Sequence, residues 1–473
     1  MRSSDVNRLG RGELQPRQQH PVPITGETKT TIAMTEHHSS AHQNLRKARG
    51  NEHVKHREHL PGISHPGSTG VIYCTERATA LGYSDKDSEW ANFGQGAPET
   101  PTLPGGFEKP TTITVSNSSR EYGPTAGIKE LREAVANLYN EQYRQGKESK
   151  YNWENVCIVP GGRAGLIRIA AMLGETLVSY FIPDYTAYSD MLSQFKSFSP
   201  FPIPLSEEDK YHVNEDLIRD ELKRGVSVIL TSNPRNPTGQ VLRGEELKRV
   251  QEMCRGKCTL LFDEFYSGYN YTSDADGKTI SSAEYVEDVD EDSVVIIDGL
   301  TKSFRLPGWR ICWVIGPKEF IKGMGSTGSF LDGGASHPLQ EAAIPLLKVE
   351  SVRKEMKVLQ EHFIKKRDYV LDRLSKMNLS VAYPPEATFY IWLDLSHLTS
   401  PELSNGLSFF EECLKEKVIV VPGIFFDLNP SKRRELFDSP CHHFVRLSFG
   451  PGMEVLRKGL DGIERVLRKF GEI

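Results

Sequence analysis

The sequence predicts an α/β protein with a large domain, in which helices cover both faces of a mostly parallel sheet, and a smaller α+β domain. Between residues 120 and 345 short apolar runs alternate with amphipathic helical runs, as where NVCIVP leads into RAGLIRIAAML. The apolar runs are almost continuously hydrophobic, which is typical of parallel strands covered on both faces. After residue 345 a long charged helical run, VLQEHFIKKRDYVLDRLSKM, precedes strand-like runs and a final helix with one apolar stripe.

The chain divides into four predicted segments. Residues 1–70 are rich in His, Arg, Gln, Ser and Pro and lack a sustained apolar period, so we expect a disordered polar tail there. Residues 71–119 are interpreted as an N-terminal arm and part of the small domain. Residues 120–345 form the predicted large domain, and residues 346–473 form the predicted C-terminal small domain.

The composition argues against several classes of partner. With a net charge of -5 and a pI near 6.3, the 473-residue chain has no electrostatic reason to bind nucleic acid or an anionic membrane surface. No apolar run reaches the roughly 20 residues that a membrane-spanning helix needs. Seven cysteines without paired spacings indicate reduced thiols. A cytoplasmic location is therefore expected; a mitochondrial one is the alternative, because arginines recur near the start.

Metal binding is not expected either. Cys254 and Cys258 lie in CRGKC, but no second pair is nearby, and Arg255 and Lys257 would repel a cation. The histidines before residue 70 lie in the polar tail, where nothing fixes a coordination geometry.

Polar side chains and glycines follow four predicted strands at the point where each strand ends. Parallel sheets bind ligands at the carboxyl ends of their strands, so these residues are expected to share one cleft. They are Gly161, Gly162, Arg163 and Ala164 after NVCIVP, Asn236 after VILTSNP, Asp263 and Tyr266 in TLLFDEFY, and Lys302 and Arg310 after SVVIIDGLT. Each has an ordinary structural explanation, such as a turn, a helix cap or a solvated strand end, but their joint placement favours a binding site.

This combination of groups fits an aldehyde cofactor that carries a phosphate and a pyridine ring. A lysine amine can form a Schiff base with the aldehyde. A helix N-terminus and an arginine can bind the phosphate. A carboxylate can keep the pyridine nitrogen protonated, and a phenol and an amide can hydrogen-bond the ring hydroxyl.

Eight motifs together resemble the class I/II aminotransferase family, the fold-type I pyridoxal-phosphate-dependent enzymes. They lie between Ala91 and Gly450 and cover nearly all of the chain outside the tail. They are ANFGQGAPE, YGPTAGIKELREAV, PGGRAGL, PDYTAY, NPRNPTGQV, DEFYSGY, LTKSFRLPGWRICW and HFVRLSFG. The resemblance implies the type I transferase fold and pyridoxal 5′-phosphate as the cofactor.

The resemblance also implies roles for residues around the cofactor ring. Lys302 would form the Schiff base and shuttle the proton. Asp263 would pair with the pyridinium nitrogen, and Tyr266 and Asn236 would lie at the ring oxygen. Tyr185 would stack on the ring face.

For the phosphate and the lysine segment, the resemblance implies a second set of cofactor-binding residues. Gly162, Arg163 and Ala164 would present backbone donors to the phosphate, and Arg310 its guanidinium. Thr301, beside the lysine, belongs to the same set.

The substrate would be bound by a third set. Arg446 would clamp the α-carboxylate with its planar fork, with Asn236 beside it, and Gly96 would line the entrance. Tyr122 would reach the cofactor of the neighbouring subunit, which implies a homodimer with active sites at the subunit interface.

Some positions depart from the family pattern or leave two interpretations open. Gly299 stands where relatives often have a hydroxyl residue that contacts the phosphate. Arg235 replaces a commonly neutral residue and is interpreted as a surface charge, the alternative being a place near the pocket. Asp332, which with His337 is expected near the mouth of the site, is interpreted as a loop cap, the alternative being attraction of a basic substrate side chain.

The resulting prediction is an aminotransferase that moves an amino group between an L-α-amino acid and a 2-oxo acid. The alternative is a lyase that eliminates a β or γ substituent, or other Cα-carbanion chemistry, because such enzymes share the cofactor-holding residues. A regulatory protein with a DNA-binding head is not expected, because the first 70 residues lack the apolar period of a winged helix.

Overall fold

A seven-stranded sheet forms the centre of the structure, which is a computed structural model. It describes residues 40–48, 70–84, 86, 89–195, 197–273, 275–430, 435 and 438–473. The strands are β1 Ala91–Asn92, β2 Val156–Val159, β3 Leu177–Ile182, β4 Ser199–Pro204, β5 Val228–Ser232, β6 Thr259–Asp263, β7 Val294–Gly299, β8 Cys312–Ile315, β9 Tyr390–Asp394, β10 Val418–Ile419, β11 Val421–Pro422 and β12 Phe444–Ser448. The central sheet has the order β2-β8-β7-β6-β5-β3-β4.

The pairing in this sheet confirms the predicted mostly parallel arrangement. Strands β3 to β7 pair in parallel, and only β8 runs antiparallel to its neighbours β2 and β7. Every residue of β5 and β7 is buried, so both faces of the sheet are covered. The carboxyl ends of β3, β5, β6 and β7 therefore lie along one edge.

The helices that surround the sheets have identifiable start and stop signals. They are α1 Ser40–Ala48, α2 Gly70–Ala80, α3 Lys129–Tyr143, α4 Gly162–Met172, α5 Ala187–Gln194, α6 Glu215–Lys223, α7 Gly244–Cys254, α8 Lys318–Leu331, α9 His337–Ala343, α10 Val349–Lys376, α11 Gly406–Lys415 and α12 Met453–Phe470. Asn214 caps α6 and Asn405 caps α11 through side-chain oxygens that accept backbone N–H groups. Gly471 ends α12 at a φ of 73°.

Two smaller sheets are formed by strands that precede or follow those of the central sheet in the chain. Strands β11, β12 and β9 pair antiparallel, and β1 pairs in parallel with β10, so that Ala91 lies opposite Val418. The predicted apolar stripe of the last helix is buried at Leu456, Leu460 and Ile463. The domain boundaries drawn from the sequence stay predictions.

The predicted disordered tail is wrong for one segment. Helix α1 lies within residues 1–70, and its Ala41 and Leu45 are buried where it contacts α11. These two positions are one helical turn apart and form a short apolar face, which the polar composition of the surrounding sequence hides. Except for Gly70, which starts α2, the rest of the tail lies outside the described residues. Within the described part of the chain, none of the helices is long and apolar enough to cross a membrane.

The register of β7 and β8 explains the glycine at position 299. Gly299 pairs with Cys312, and a Cβ added to the glycine would lie 2.5 Å from the Cα of Cys312. Because the obstacle is backbone, no side-chain rotation removes it. A hydroxyl residue therefore does not fit here.

We expect Gly299→Ser to lower the free energy of unfolding by about 1–3 kcal/mol, the usual cost of overpacking a core. Urea denaturation measures the change. Gly174→Ser is the matched control, because a Cβ at Gly174 meets nothing within 4 Å. Equal stability of the two variants would contradict this account.

Candidate active site

A cavity of about 670 Å³ opens at the carboxyl ends of β5, β6 and β7 and at the start of α4. All but two of the residues that the family resemblance assigns to the site line it. Those that do are Gly96, Gly162, Arg163, Tyr185, Asn236, Asp263, Tyr266, Thr301, Lys302, Arg310 and Arg446. The exceptions are Ala164, in the first turn of α4, and Tyr122, which is fully exposed. Side chains that are far apart in sequence therefore meet in one cavity, as expected for residues at the carboxyl ends of parallel strands.

Lys302 follows β7 and points its amine into the cavity. Its Nζ donates a hydrogen bond to the carbonyl of Gly96. Its own carbonyl accepts from the Tyr269 hydroxyl at 2.9 Å and from the Arg305 N–H at 3.0 Å, which fixes the backbone. Burial, aided by the positive charge of Arg446, lowers the pKa of Lys302 to about 8. The amine therefore loses its proton more readily than a solvated lysine does, and the neutral form is the nucleophile.

Asp263 ends β6 as a buried carboxylate with neutral hydrogen-bond partners. The Tyr188 hydroxyl donates to its Oδ2 at 2.8 Å, and the Phe265 N–H donates to Oδ1 at 3.5 Å. Burial raises the pKa of Asp263 to about 7, and the nearby charge of Asp184 adds to this. A cation in the cavity, such as a protonated ring nitrogen, would stabilise the ionised form. Tyr188 was not predicted, although it lies in the same PDYTAY motif as Tyr185.

Arg446 lies on β12 with its guanidinium partly satisfied. Nη1 donates to Oδ1 of Asn236 at 3.0 Å, and Nη2 donates to the carbonyl of Gly94 at 2.9 Å. Its buried Nε has no hydrogen-bond partner within the described residues. The guanidinium lies 4.0 Å from the centre of the Tyr390 ring, which orients it. A guanidinium that is held in place and still has one N–H donor without a partner among the described residues is suited to bind a carboxylate.

Tyr266 and Tyr390 form a buried pair of phenols. Their hydroxyl oxygens lie 2.8 Å apart and share a hydrogen bond, and burial raises the pKa of Tyr266 well above its usual value. Tyr390 is a second site residue that the sequence analysis missed. Its run, TFYIWLDL, is typical of an ordinary strand and carries no further signal.

The start of α4 forms a cradle of backbone donors. Gly161 has a φ of 102°, and Gly162 begins the helix beside Phe265, whose ring a Cβ at Gly162 would approach to 2.5 Å. Arg310 lies against Gly161, where a Cβ would collide with its guanidinium. Arg163 donates to the Tyr185 hydroxyl at 3.2 Å. N–H groups at a helix N-terminus with a guanidinium beside them suit a phosphate.

The comparison with known proteins decides the family. The chain matches the sequence profile of "Aminotransferase class I and II" over residues 88–463. The chain belongs to this family.

Individual members of the class I and II aminotransferases match over most of their length. A probable aspartate/prephenate aminotransferase of Aquifex aeolicus is 26% identical over 86% of this chain and 98% of its own length. An aspartate aminotransferase of Pyrococcus horikoshii is 26% identical over 81% of this chain and 92% of its own. A Thermus thermophilus aspartate aminotransferase double mutant superposes with a TM-score of 0.69 at 24% identity, over 86% of this chain and all of that one. The fold is therefore the type I transferase fold of these enzymes.

Members of the family use pyridoxal 5′-phosphate, and the cavity fits that group. Lys302 offers an amine, and Asp263 offers a carboxylate that has only neutral hydrogen-bond partners. The glycine cradle leaves room that side chains would fill. Thr301 lies next to the lysine, with its hydroxyl 3.2 Å from the sulfur of Cys312. Among the described residues, no group of three or more His, Cys, Asp or Glu side chains could hold a metal ion.

The interpretation of Arg235 as a surface charge is wrong. Arg235 is only 4% exposed to solvent, and its Nη1 lies 2.8 Å from Oδ2 of the fully buried Asp184. The two residues follow β3 and β5, which pair in parallel, so their proximity depends on the sheet order. The sequence alone does not show that order.

Asp332 caps its loop, as interpreted, and also binds an arginine. Its Oδ1 accepts the Gly334 N–H at 2.9 Å, and its Oδ2 accepts Nε of the fully buried Arg168 at 2.8 Å. The same arginine donates to the carbonyl of Thr125 at 2.9 Å. Asp332 therefore joins α4 to the loop after α8 and is engaged without a substrate.

We expect Asp332→Asn to lower the free energy of unfolding by about 1–3 kcal/mol, because it leaves a buried guanidinium without its carboxylate. Relative rates with basic and neutral amino donors should not change. Urea denaturation and a donor screen measure the two effects. Asp216→Asn, which breaks the exposed pair with Arg219, is the control and should cost little. A selective loss of activity with basic donors would contradict this role.

Proposed function

We propose that this chain is a pyridoxal-phosphate-dependent aminotransferase that moves an amino group between an L-α-amino acid and a 2-oxo acid. One observation carries the proposal: Lys302, Asp263 and Arg446 share one cavity, each largely withdrawn from water. When bound, pyridoxal 5′-phosphate would supply an electron sink for the electrons of the Cα–H bond. The rest of the chemistry depends on the chain's own side chains.

Three groups would hold the cofactor in orientation. Asp263 would accept a hydrogen bond from the protonated ring nitrogen, and that cation would favour the ionised carboxylate. The N–H groups at Gly162 and Arg163, with the guanidinium of Arg310, would bind the phosphate. Tyr185 would cover one ring face.

Lys302 would act at Nζ as the base that takes the Cα proton and later returns it. A pKa of about 8 suits both directions, because it lies within about one unit of neutral pH and makes both protonation states accessible. Arg446 would hold the α-carboxylate and so set which Cα bond faces the lysine. Asn236 braces that arginine, and the Tyr266 hydroxyl would donate to the ring oxygen.

Aspartate is the first amino donor to test, because relatives at 26% identity carry aspartate in their names. A screen of donors against several 2-oxo acids, prephenate included, would define the substrate class. An elimination reaction would release ammonia without an acceptor, and an aminotransferase would not. No described feature of the site favours elimination. A cytoplasmic location stays a prediction.

We expect Lys302→Ala to abolish both turnover and the borohydride-reducible bond to the cofactor, because no other amine would be placed to form it. Absorbance and peptide mass spectrometry of the reduced protein measure the bond. Lys109→Ala is the matched control: burial lowers the pKa of Lys109 to about 8 as well, but its Nζ donates to the Thr100 carbonyl at 2.8 Å. An adduct that persists without Lys302, or turnover at the normal rate, would reject the proposed function.

The active unit is proposed to be a homodimer in which Tyr122 serves the neighbouring site. Tyr122 is fully exposed, and the carbonyl of Glu121 beside it lies 3.2 Å from Nδ1 of His337. Phe330, at the end of α8, is 70% exposed as well. Exposed aromatic side chains of this kind are typical of a surface that a partner covers.

Hybrid dimers test this arrangement. Lys302→Ala and Tyr122→Ala subunits should each be impaired alone, and their hybrid should hold one intact site. Random exchange should then recover about a quarter of wild-type activity, since about half of the dimers are hybrids with one working site each. Mixed activity that equals the average of the two pure variants would contradict a shared site.

A further inference from the structure

A buried ion pair lies directly behind the wall of the cavity. Asp184 follows β3, Arg235 follows β5, and their side chains meet at 2.8 Å with almost no exposure to water. Arg235 is further fixed by a hydrogen bond from Nη2 to the Thr231 hydroxyl at 3.0 Å and by the Phe181 ring, 4.8 Å from its guanidinium. The pair itself does not line the cavity.

The carboxylate of Asp184 holds two segments that do face the cavity. Its Oδ1 accepts the Tyr185 N–H at 2.8 Å and also the Ser232 hydroxyl. The Ser232 oxygen in turn accepts the Asn236 N–H at 3.1 Å. The buried carboxylate of Asp184 thus fixes Tyr185, which is expected to cover the cofactor ring. Through Ser232 it also fixes Asn236, which contacts Arg446.

The network continues to the substrate end of the cavity. Asn236 accepts Nη1 of Arg446 at 3.0 Å, so hydrogen bonds connect Asp184 to the guanidinium through Ser232 and Asn236. Arg235 and Asn236 are neighbours in the NPRNPTG segment, and the Arg235 N–H donates to the Gln240 carbonyl at 2.9 Å, which closes that loop.

Stability alone is a weak reason for such a pair. Removing two charges from water usually costs as much as their attraction returns, and apolar residues of similar volume often serve at least as well. The arrangement around Asp184 is specific because each carboxylate oxygen also accepts hydrogen bonds from the cavity wall.

We propose that Asp184 and Arg235 are positioning residues: the ion pair holds Tyr185 and Asn236, and through Asn236 the Arg446 clamp, in the geometry that binds cofactor and substrate. This inference rests on the proposed function. It assigns a role to the arginine by which this chain departs from the family pattern.

The pair also acts on Asp263 through charge. The negative charge of Asp184 raises the pKa of Asp263, and Arg235 offsets that charge. Among the described residues, the ionisable groups that interact with Asp263 include Tyr188, Asp184, Lys302, Glu264 and Asp298. Loss of the Asp184 charge should therefore lower the pKa of Asp263.

Arg235→Gln is the principal test, because it removes the charge and keeps a donor. The dissociation constant of pyridoxal 5′-phosphate from the apoenzyme should rise about 10–100-fold, the range seen when partners that orient metal ligands are lost. The KM for the amino donor should rise as well. Arg235→Lys restores a cation for Asp184 and should recover most of the loss.

Arg255→Gln is the matched control. Arg255 also pairs with a buried aspartate, Asp292, at 2.7 Å, but at the amino ends of β6 and β7. The dissociation constant of pyridoxal 5′-phosphate from the Arg255→Gln apoenzyme should equal that of the wild type. If the two glutamine variants lose affinity equally, the positioning role is wrong.

The pH at which cofactor affinity is lost on acidification gives a second, independent readout. Binding requires ionised Asp263, so the midpoint should move to lower pH in Asp184→Asn. A merely structural pair would give no shift, and that result overturns the inference. If Arg235→Gln does not fold, Asp184→Asn and Arg235→Lys carry the test. If the wild type itself does not bind the cofactor, the proposed function fails instead.

Discussion

The withdrawal of Lys302, Asp263 and Arg446 from water is the constraint on which the rest of the site depends. Desolvation moves the two titrating groups in opposite directions, to pKa values of about 8 for the lysine and about 7 for the aspartate. Both groups therefore sit near the point of protonation change at neutral pH. The parallel sheet makes this achievable, because its buried strands end at one edge and deliver these side chains to a common cavity.

The backbone of Lys302 must be held in place for its amine to keep a fixed position in the cavity. Contacts on the side away from the cavity hold it. Arg305, three residues later, has a φ of 56° and a fully buried side chain that pairs with Glu355 of α10 at 3.0 Å. Its N–H also donates to the Lys302 carbonyl. The long helix thus anchors the segment after β7, from which the Lys302 amine extends into the cavity.

The features that the sequence reveals are those carried by local pattern. Continuous apolar runs indicate buried strands, and Lys302 and Asp263, which lie where two of these runs end, line one cavity in the structure. Long-range pairing leaves no local trace: Asp184 and Arg235 are 51 positions apart, and Tyr390 reaches Tyr266 across 124. Those contacts depend on strand order, which hydrophobic periodicity does not encode.

The charges around the cavity also explain which ligands it suits. Among the described residues that line it, four are basic, namely Arg163, Lys302, Arg310 and Arg446, and two are acidic, Asp190 and Asp263. In a space largely screened from water, this positive excess favours anions more strongly than it would on an open surface. A phosphate at the helix start and a carboxylate at Arg446 would balance it, and Asp263, the buried carboxylate of the described lining, would then remain for a cation on the ring between them. The site is thus built for a ligand that carries both signs of charge.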